Sequence, residues 1–506
     1  MFLKFPVEVL LIILEPLSRT DQLSLARSCQ RFYEQIIPMF YVSIETPCYC
    51  VDLHKALVNT LLLHPERIDS VRHLKVGKLK FGRKPESYMQ HRHEYYESAE
   101  TKKRLADAVG RLSHRDWEKT QWLEDLEGWS DLNGHQHRDA WLAVLLYLVP
   151  NIQTLELFWG GTGTRYSHWV LQRAAQRSKP FDSQPPFPFL HTACIKVTAD
   201  TGQCFSLARL APFFQFTSMR TFRGQLMTDG HLIDNMLPVN SSPITHLEIE
   251  QSSSETGFID LIAPCTNLKV FEYTSQDEYL NCSNDYRRLF RHFWPEVFIK
   301  AVEKKKDTLE VLSLAPFRHS EYFSHSSAQD WIGPLNGFKA LKHLHIHAGC
   351  ILGNSTSRQD YQNDPVKQRI SLDDTLPSSL ECLWVYCVSH WASDFRQDKD
   401  FAWELMISQL TSLAETTSTR FPCLKKISVE GDFKRSDLPD KDIDKCRAMH
   451  PDCSHFMQPE ILQLTDSLRS ACMEKGIAFH IRDCEIEASL KEFDDLLMFS
   501  RFEEDE

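Results

Sequence analysis

At 506 residues, with 42% hydrophobic and 25% charged side chains, the chain has ordinary globular composition and length for roughly two to four domains. A net charge of -12 argues against binding nucleic acid by neutralising phosphates, which needs a basic surface. The 15 cysteines come without a secretory signal and read as small buried hydrophobes in a reducing compartment.

The opening stretch, FPVEVLLIILEPLSRTDQLSLARSCQRFYEQIIP at 5–38, is the most informative. Val9, Leu10, Leu11, Ile12, Ile13 and Leu14 are consecutive, so a helix here is apolar around its whole circumference and must be covered on more than one side. Asp21 is placed to cap a second helix, in which Leu23, Leu25, Ala26, Cys29, Phe32 and Tyr33 recur at helical spacing. Two or three such short helices form little core alone, which points to a docking module completed by a partner. The run is too short for a membrane span, is flanked by Glu8 and Glu15, and lacks a small-residue cleavage site. The expectation is a chain that is neither secreted nor membrane-bound, working in the cytoplasm, the nucleus or both.

The order of residue types in this stretch is similar to the F-box, which opens with Leu-Pro-x-Glu and an Ile/Leu-rich helix and continues with an Asp before a Leu-rich helix, then a Cys close to an aromatic residue. Phe5 stands for the opening Leu and Phe32 for the more usual Trp. The resemblance implies that Phe5, Pro6, Val9, Leu10, Ile13, Leu14 and Leu17 contact a Skp-type adaptor, together with Leu23, Leu25, Ala26, Cys29 and Phe32. It implies that this adaptor hangs the protein on a cullin-RING ubiquitin ligase.

Beyond residue 45, an apolar helix, a polar break and a strand of the form Leu-x-x-Leu-x-Leu return at irregular intervals. The strand cores are VRHLKV (71–76), IQTLEL (152–157), LHTACIKV (190–197), MRTFRG (219–224), ITHLEI (244–249) and LKVFEY (268–273). LEVLSL (309–314), LKHLHI (341–346), LECLWV (380–385), LKKISV (424–429) and a last strand from Ile477 complete the series. Where clearest they lie about 24 to 45 residues apart, longer than the usual leucine-rich repeat. A doubly wound sheet, covered by helices on both faces, would need strands apolar on both sides. In HLEIE and HLHIH the apolar residues alternate with Glu or His, which favours an α/β leucine-rich-repeat solenoid of parallel strands and outer helices. The F-box followed by such repeats resembles the F-box/LRR substrate receptors. The expected organisation is an F-box at 1–45, a solenoid at 46–485 with a helical insertion around 78–150, and an acidic tail at 486–506.

Residues between the repeat leucines would face the hollow of such a solenoid. Glu156 and Phe158, Glu248 and Glu250, Glu272, His345 and His347, and Trp384 and Tyr386 are the candidate target-binding rows, with a solvated sheet that binds nothing as the alternative. Acidic and exposed aromatic rows would favour a target with a basic segment. His343 and His347 lie about 13 Å apart along a strand, too far to share a metal. Cys446, His450, Cys453 and His455 do not match zinc spacings, and Cys48 and Cys50 lack a partner pair. The turn at Gly160–Thr164 lacks a P-loop lysine. Lys102–Arg104 and Lys304–Lys306 read as solvated helix faces. No catalytic motif and no cofactor site is evident, so the expected role is a non-catalytic receptor subunit, or else a non-degradative scaffold.

Overall fold

The structure, a computed structural model, describes residues 7–14, 16–47, 51–77, 98–127, 135–159, 164–197, 207–229, 237–254, 256–275, 295–315, 331–352, 371–387, 399–431 and 459–483. The chain divides into two compact units, residues 1–226 with 233–244, and residues 227–232 with 245–506. Phe5, Pro6, Cys48, Cys50, the turn at 160–163, the cluster from Cys446 to His455 and the tail lie outside the described residues.

The first unit opens with helices α1 (Val7–Leu14), α2 (Arg19–Ser28) and α3 (Gln30–Val42). Strands β1 (Ser43–Pro47), β2 (His73–Gly77), β3 (Thr154–Trp159), β4 (Thr192–Val197) and β5 (Thr221–Gln225) follow, each pairing in parallel with the next. The second unit repeats the plan with β6 (His246–Ser252), β7 (Val270–Ser275), β8 (Val311–Ala315), β9 (His343–His347), β10 (Cys382–Cys387), β11 (Lys426–Gly431) and β12 (Ala478–Asp483). Every strand core expected from the leucine pattern falls in one of these strands. The exception is β1, whose sequence SIETP carries no Leu-x-Leu signature and ends in proline, a residue tolerated only at strand edges and ends. The boundary expected at residue 45 falls inside it.

Side-chain alternation is as the repeats require. In β6, Leu247 and Ile249 are buried, Glu248 is half-buried and Glu250 is exposed. A backbone device sets the step from one repeat to the next: in eight strands the carbonyl of the residue immediately before the strand accepts two N–H groups from the following repeat. Arg72 O accepts from Gln153 N (2.6 Å) and Thr154 N (3.1 Å), and Glu310 O from Lys342 N (2.9 Å) and His343 N (3.0 Å). Gln153, His191, Thr245, Lys269, Lys342 and Glu381 do the same. Each repeat thereby satisfies backbone donors that would otherwise be buried unpaired.

The insertion of the first unit holds helices after α4 (Val51–Leu63): α5 (Ala99–Leu112), α6 (Asp116–Glu127) and α7 (His135–Leu148). Buried polar groups tie them to α8 (Arg165–Ala175). Arg173 of α8 pairs with Glu118 at 2.5 Å and donates to Leu112 O, the last residue of α5. Burial raises the Glu118 pKa, but hydrogen bonds from His114 N and Arg173 and the Arg173 charge outweigh it and hold the carboxyl below its usual range. Asp139 of α7 caps α8 from outside, accepting from Tyr166 N, from Ser167 N at 3.2 Å and from Ser167 Oγ at 2.5 Å. Burial pushes this carboxyl up to about 7, against the pull of those hydrogen bonds and of Arg209.

In the second unit Gly257 adopts φ +70°, and a Cβ there would lie 2.6 Å from Val297 O. The turn that places it is held by the Asp229 carboxylate, which accepts from Phe258 N at 2.8 Å and Thr256 Oγ1 at 2.7 Å. Lys305, expected on a solvated face, is instead 5% exposed. Its ammonium donates to Ala263 O and Cys265 O, carbonyls just past the helical turn Ile259–Ile262, where a cation is favoured.

Candidate functional site

The N-terminal hairpin folds around a small core of Leu14, Ala26, Phe32 and Ile36, with Leu17, Leu25, Cys29 and Ile37 packed against it. The cap of α2 is Ser18, whose Oγ accepts from Asp21 N at 3.2 Å and donates to Asp21 Oδ2 at 2.7 Å. Asp21 was expected as the cap and instead supports it from the first turn. Gln22 Nε2 donates to Leu14 O (2.8 Å) and Leu17 O (3.1 Å), satisfying carbonyls that the end of α1 leaves open.

This arrangement sorts the expected adaptor contacts. Leu14, Ala26 and Phe32 are core, at 2%, 2% and 9% exposure, so they hold the hairpin together and are not free to meet another chain. Their place in a core follows from their side of each helix, which the sequence order of the motif does not reveal. Ile13, Leu17, Leu25 and Cys29 are half-buried. Val9 and Leu23 are exposed, and Ile12, which the motif reading did not single out, is the most exposed at 68%. Only the backbone of Leu10 is described. An apolar surface remains after the core is filled, and it lies on α1 and α2.

Helix α3 runs into β1 with no intervening loop. Arg67, in the turn Pro65–Ser70 before β2, reaches back to it. Its Nη1 donates to Tyr41 Oη at 2.9 Å and its Nη2 to Tyr33 Oη at 3.0 Å, while the guanidinium lies over the Tyr41 ring at 5.2 Å. Tyr33 lies inside the F-box stretch but is not one of its motif positions, and Tyr41 and Arg67 fall between that stretch and the first leucine-pattern strand, so neither signal points to the clamp.

On the polar face of the first unit, Glu45, Lys75 and Glu156 share one register row. Lys75 pairs with Glu45 at 2.8 Å, and Lys196 with Glu156 at 2.9 Å. Phe158 beside them is half-buried. The acidic row expected at Glu156 is thus already matched with lysine.

In the second unit Glu248, Glu272, Ser313, His345, Trp384, Ser428 and His480 form one register row. His345 stacks on Trp384 with ring centroids 4.5 Å apart and accepts or donates a 3.0 Å hydrogen bond with Ser313 Oγ. Both rings are half-buried. Tyr386 and His347, expected as exposed partner contacts, are 7% and 4% exposed. The Tyr386 hydroxyl donates to Leu314 O at 2.5 Å, and its ring packs edge-on to His347 at 5.3 Å. Burial pushes the His347 imidazole down to about 4, so it is neutral at physiological pH. Ser428 and Glu430, also on this side, are buried. The accessible part of the face is therefore the stretch from Glu250 and Glu272 to the His345–Trp384 stack.

The residue after the first leucine of successive repeats carries a second array: Lys269, Glu310, Lys342, Glu381 and Lys425. Glu310 accepts from Lys269 (2.9 Å) and Lys342 (3.0 Å), and Glu381 from Lys425 (2.5 Å). The two lysine hydrogen bonds hold the Glu310 carboxyl down at about 2. Each exposed pair contributes little alone, because solvent screens it, but the alternation zips neighbouring repeats at fixed register. The alternating signs stand in plain view in the sequence once the repeats are aligned. Among the described residues no group of three His, Cys, Asp or Glu could hold a metal. Among them, too, no helix is long and apolar enough to cross a membrane.

The family model of the Leucine-rich repeat domain matches residues 56–431, and that of the F-box domain matches residues 2–37. This chain is an F-box protein with leucine-rich repeats. A search of the curated proteins finds no match. F-box domains bind Skp-type adaptors and leucine-rich-repeat domains bind target proteins, so both parts of the chain are interaction modules. The F-box match coincides with the hairpin, and the repeat match takes in β2 to β11.

Proposed function

We propose that this protein is the substrate-recognition subunit of an SCF-type ubiquitin ligase. The F-box, residues 1–45, would bind the adaptor through Val9, Ile12 and Leu23, with the half-buried Ile13, Leu17 and Leu25 at the margin. The repeat domain, residues 46–485, would hold the target, and catalysis would belong to the rest of the assembly. The contribution of this chain is proximity, which turns an encounter between two proteins into a reaction inside one complex.

The observation that supports this reading best is the 68% exposure of Ile12 beside a hairpin core that is already complete. Covering an exposed aliphatic side chain contributes about 1.5–3 kcal/mol, so three of them supply much of a stable docking contact. The exposed Glu250 and Glu272 favour a target with a basic segment, which they would steer by charge. Cys265 and Cys472 are buried thiols, as suits the reducing cytoplasm or nucleus.

The test is co-purification of a Skp-type adaptor with the full chain, compared with an Ile12→Asp, Leu23→Asp variant. Loss of adaptor from the variant with the hairpin still folded supports the reading, and equal recovery overturns it. Ubiquitination of captured proteins by the reconstituted ligase separates a receptor from a non-degradative scaffold.

A further inference from the structure

We propose that Arg67 is a positioning residue, one that locks the F-box hairpin to the first repeats so that adaptor and target are held at a fixed separation. The proposal rests on the ligase reading for its consequence, and on the first unit alone for its geometry.

Three observations carry it. First, α3 passes into β1 between Val42 and Ser43 without a linker, and Arg72 N donates to Val42 O at 2.9 Å, so the end of the helix is already stitched to the strand of the next repeat. Second, a helix fixed only at its last residue can still pivot there. Arg67 prevents this by gripping α3 at two places two turns apart, Tyr33 and Tyr41, through separate nitrogens of one planar guanidinium. Third, the grip is built for rigidity. The Arg67 side chain is 12% exposed, its guanidinium lies over the Tyr41 ring, and Glu66 approaches Nε at 4.0 Å, so the fork has little freedom to leave.

Neither tyrosine belongs to the hairpin core, and Tyr33 is 44% exposed. A side chain kept on the outside of a docking module and tied back to the following domain serves orientation more than hairpin stability. A hairpin free to swing would still bind adaptor, and the repeats would still bind target. What would change is the set of lysines brought within reach of the ubiquitin-bearing enzyme.

The experiment measures the swing directly. Fluorophores are introduced through unnatural amino acids at Ser24 on α2 and Lys103 on α5, both exposed, and single-molecule transfer gives the distance distribution in the full chain. Arg67→Met, which keeps the aliphatic stem, should broaden that distribution, and Arg67→Lys should narrow it part of the way back towards the parent. A Tyr33→Phe, Tyr41→Phe variant removes only the acceptors and should broaden it as well, which covers the case in which Arg67→Met fails to fold. Distributions as narrow as the parent in both the Met and the double Phe variants would overturn the proposal. In the reconstituted ligase, self-ubiquitination of Arg67→Met should spread over more lysines while adaptor affinity is unchanged. An unchanged lysine pattern would overturn the positioning role. Failure to bind adaptor at all would sink the ligase reading and leave the distance result standing.

Discussion

Arg173 Nη2 of α8 lies 2.5 Å from Glu118 Oε1 of α6, with the two side chains 16% and 6% exposed. A charge pair this dry is an orientation device more than a source of stability, since desolvation consumes most of what attraction returns. Removing one member is another matter. Arg173→Met leaves a buried carboxylate unmatched and should cost about 3–5 kcal/mol, whereas pairing it with Glu118→Met should recover much of that loss. Hydrogen exchange should show α5 and α6 loosening in the single variant while α1 to α3 keep their protection. Because the folded Glu118 pKa is depressed, its contribution is present above the unfolded value and fades as pH falls through the folded one.

Asp139 has the opposite sign. Its carboxyl is pushed up to about 7, so between roughly pH 4 and 7 the folded chain holds a proton that the unfolded chain has released. The contribution is full below the unfolded pKa and is lost as pH rises through about 7. Asp139→Asn keeps an acceptor for the α8 cap but cannot titrate. The stability advantage of the parent over this variant should shrink between about pH 5 and pH 8 in thermal melts, and an advantage that grows would contradict the assignment.

Leu14 and Ile12 sit two residues apart on one short helix with opposite fates. Leu14→Ala opens a hole in the four-residue core of the hairpin and should cost about 2–5 kcal/mol. Ile12→Ala, at an exposed position, should change hairpin stability by no more than about 0.5 kcal/mol. Circular dichroism and local hydrogen exchange of the isolated full chain distinguish them before any partner is added.

Gly257 and Gly333 both have positive φ, at +70° and +78°, but only Gly257 faces a backbone within contact distance. Gly333→Ala should carry only the left-handed penalty of about 1 kcal/mol. Gly257→Ala adds a collision with Val297 O and Phe298 Cα and should lower the unfolding midpoint in urea several times as far.

The leucine pattern made most of the fold legible, because a strand buried on one face writes period two into its sequence and each repeat writes it again. Strand β1 escaped because five residues ending in Pro47 carry too little of that period. The F-box motif likewise marked the hairpin but could not separate Leu14 from Ile12, since a helix apolar on every side has no phase from which to read its inward face. On the strand face, alternation placed Tyr386 and His347 on the correct side, yet that side is accessible only in part. What covers a residue is decided by segments distant in sequence, and periodicity is silent about those. Lys305 shows the same limit, a cation whose neighbours on either side are exposed and whose own ammonium seeks carbonyls some forty residues earlier in the chain.

The twice-used carbonyl between repeats fixes only where one strand begins relative to the last. It places no demand on how much polypeptide is spooled out before the next strand returns. The long excursion between Gly77 and Thr154 and the brief one between Ser252 and Val270 are therefore equally admissible, and length can be gained or shed there without re-threading the spine. Over generations such a chain is free to rewrite its outer scenery while its ladder of strands stays as it was.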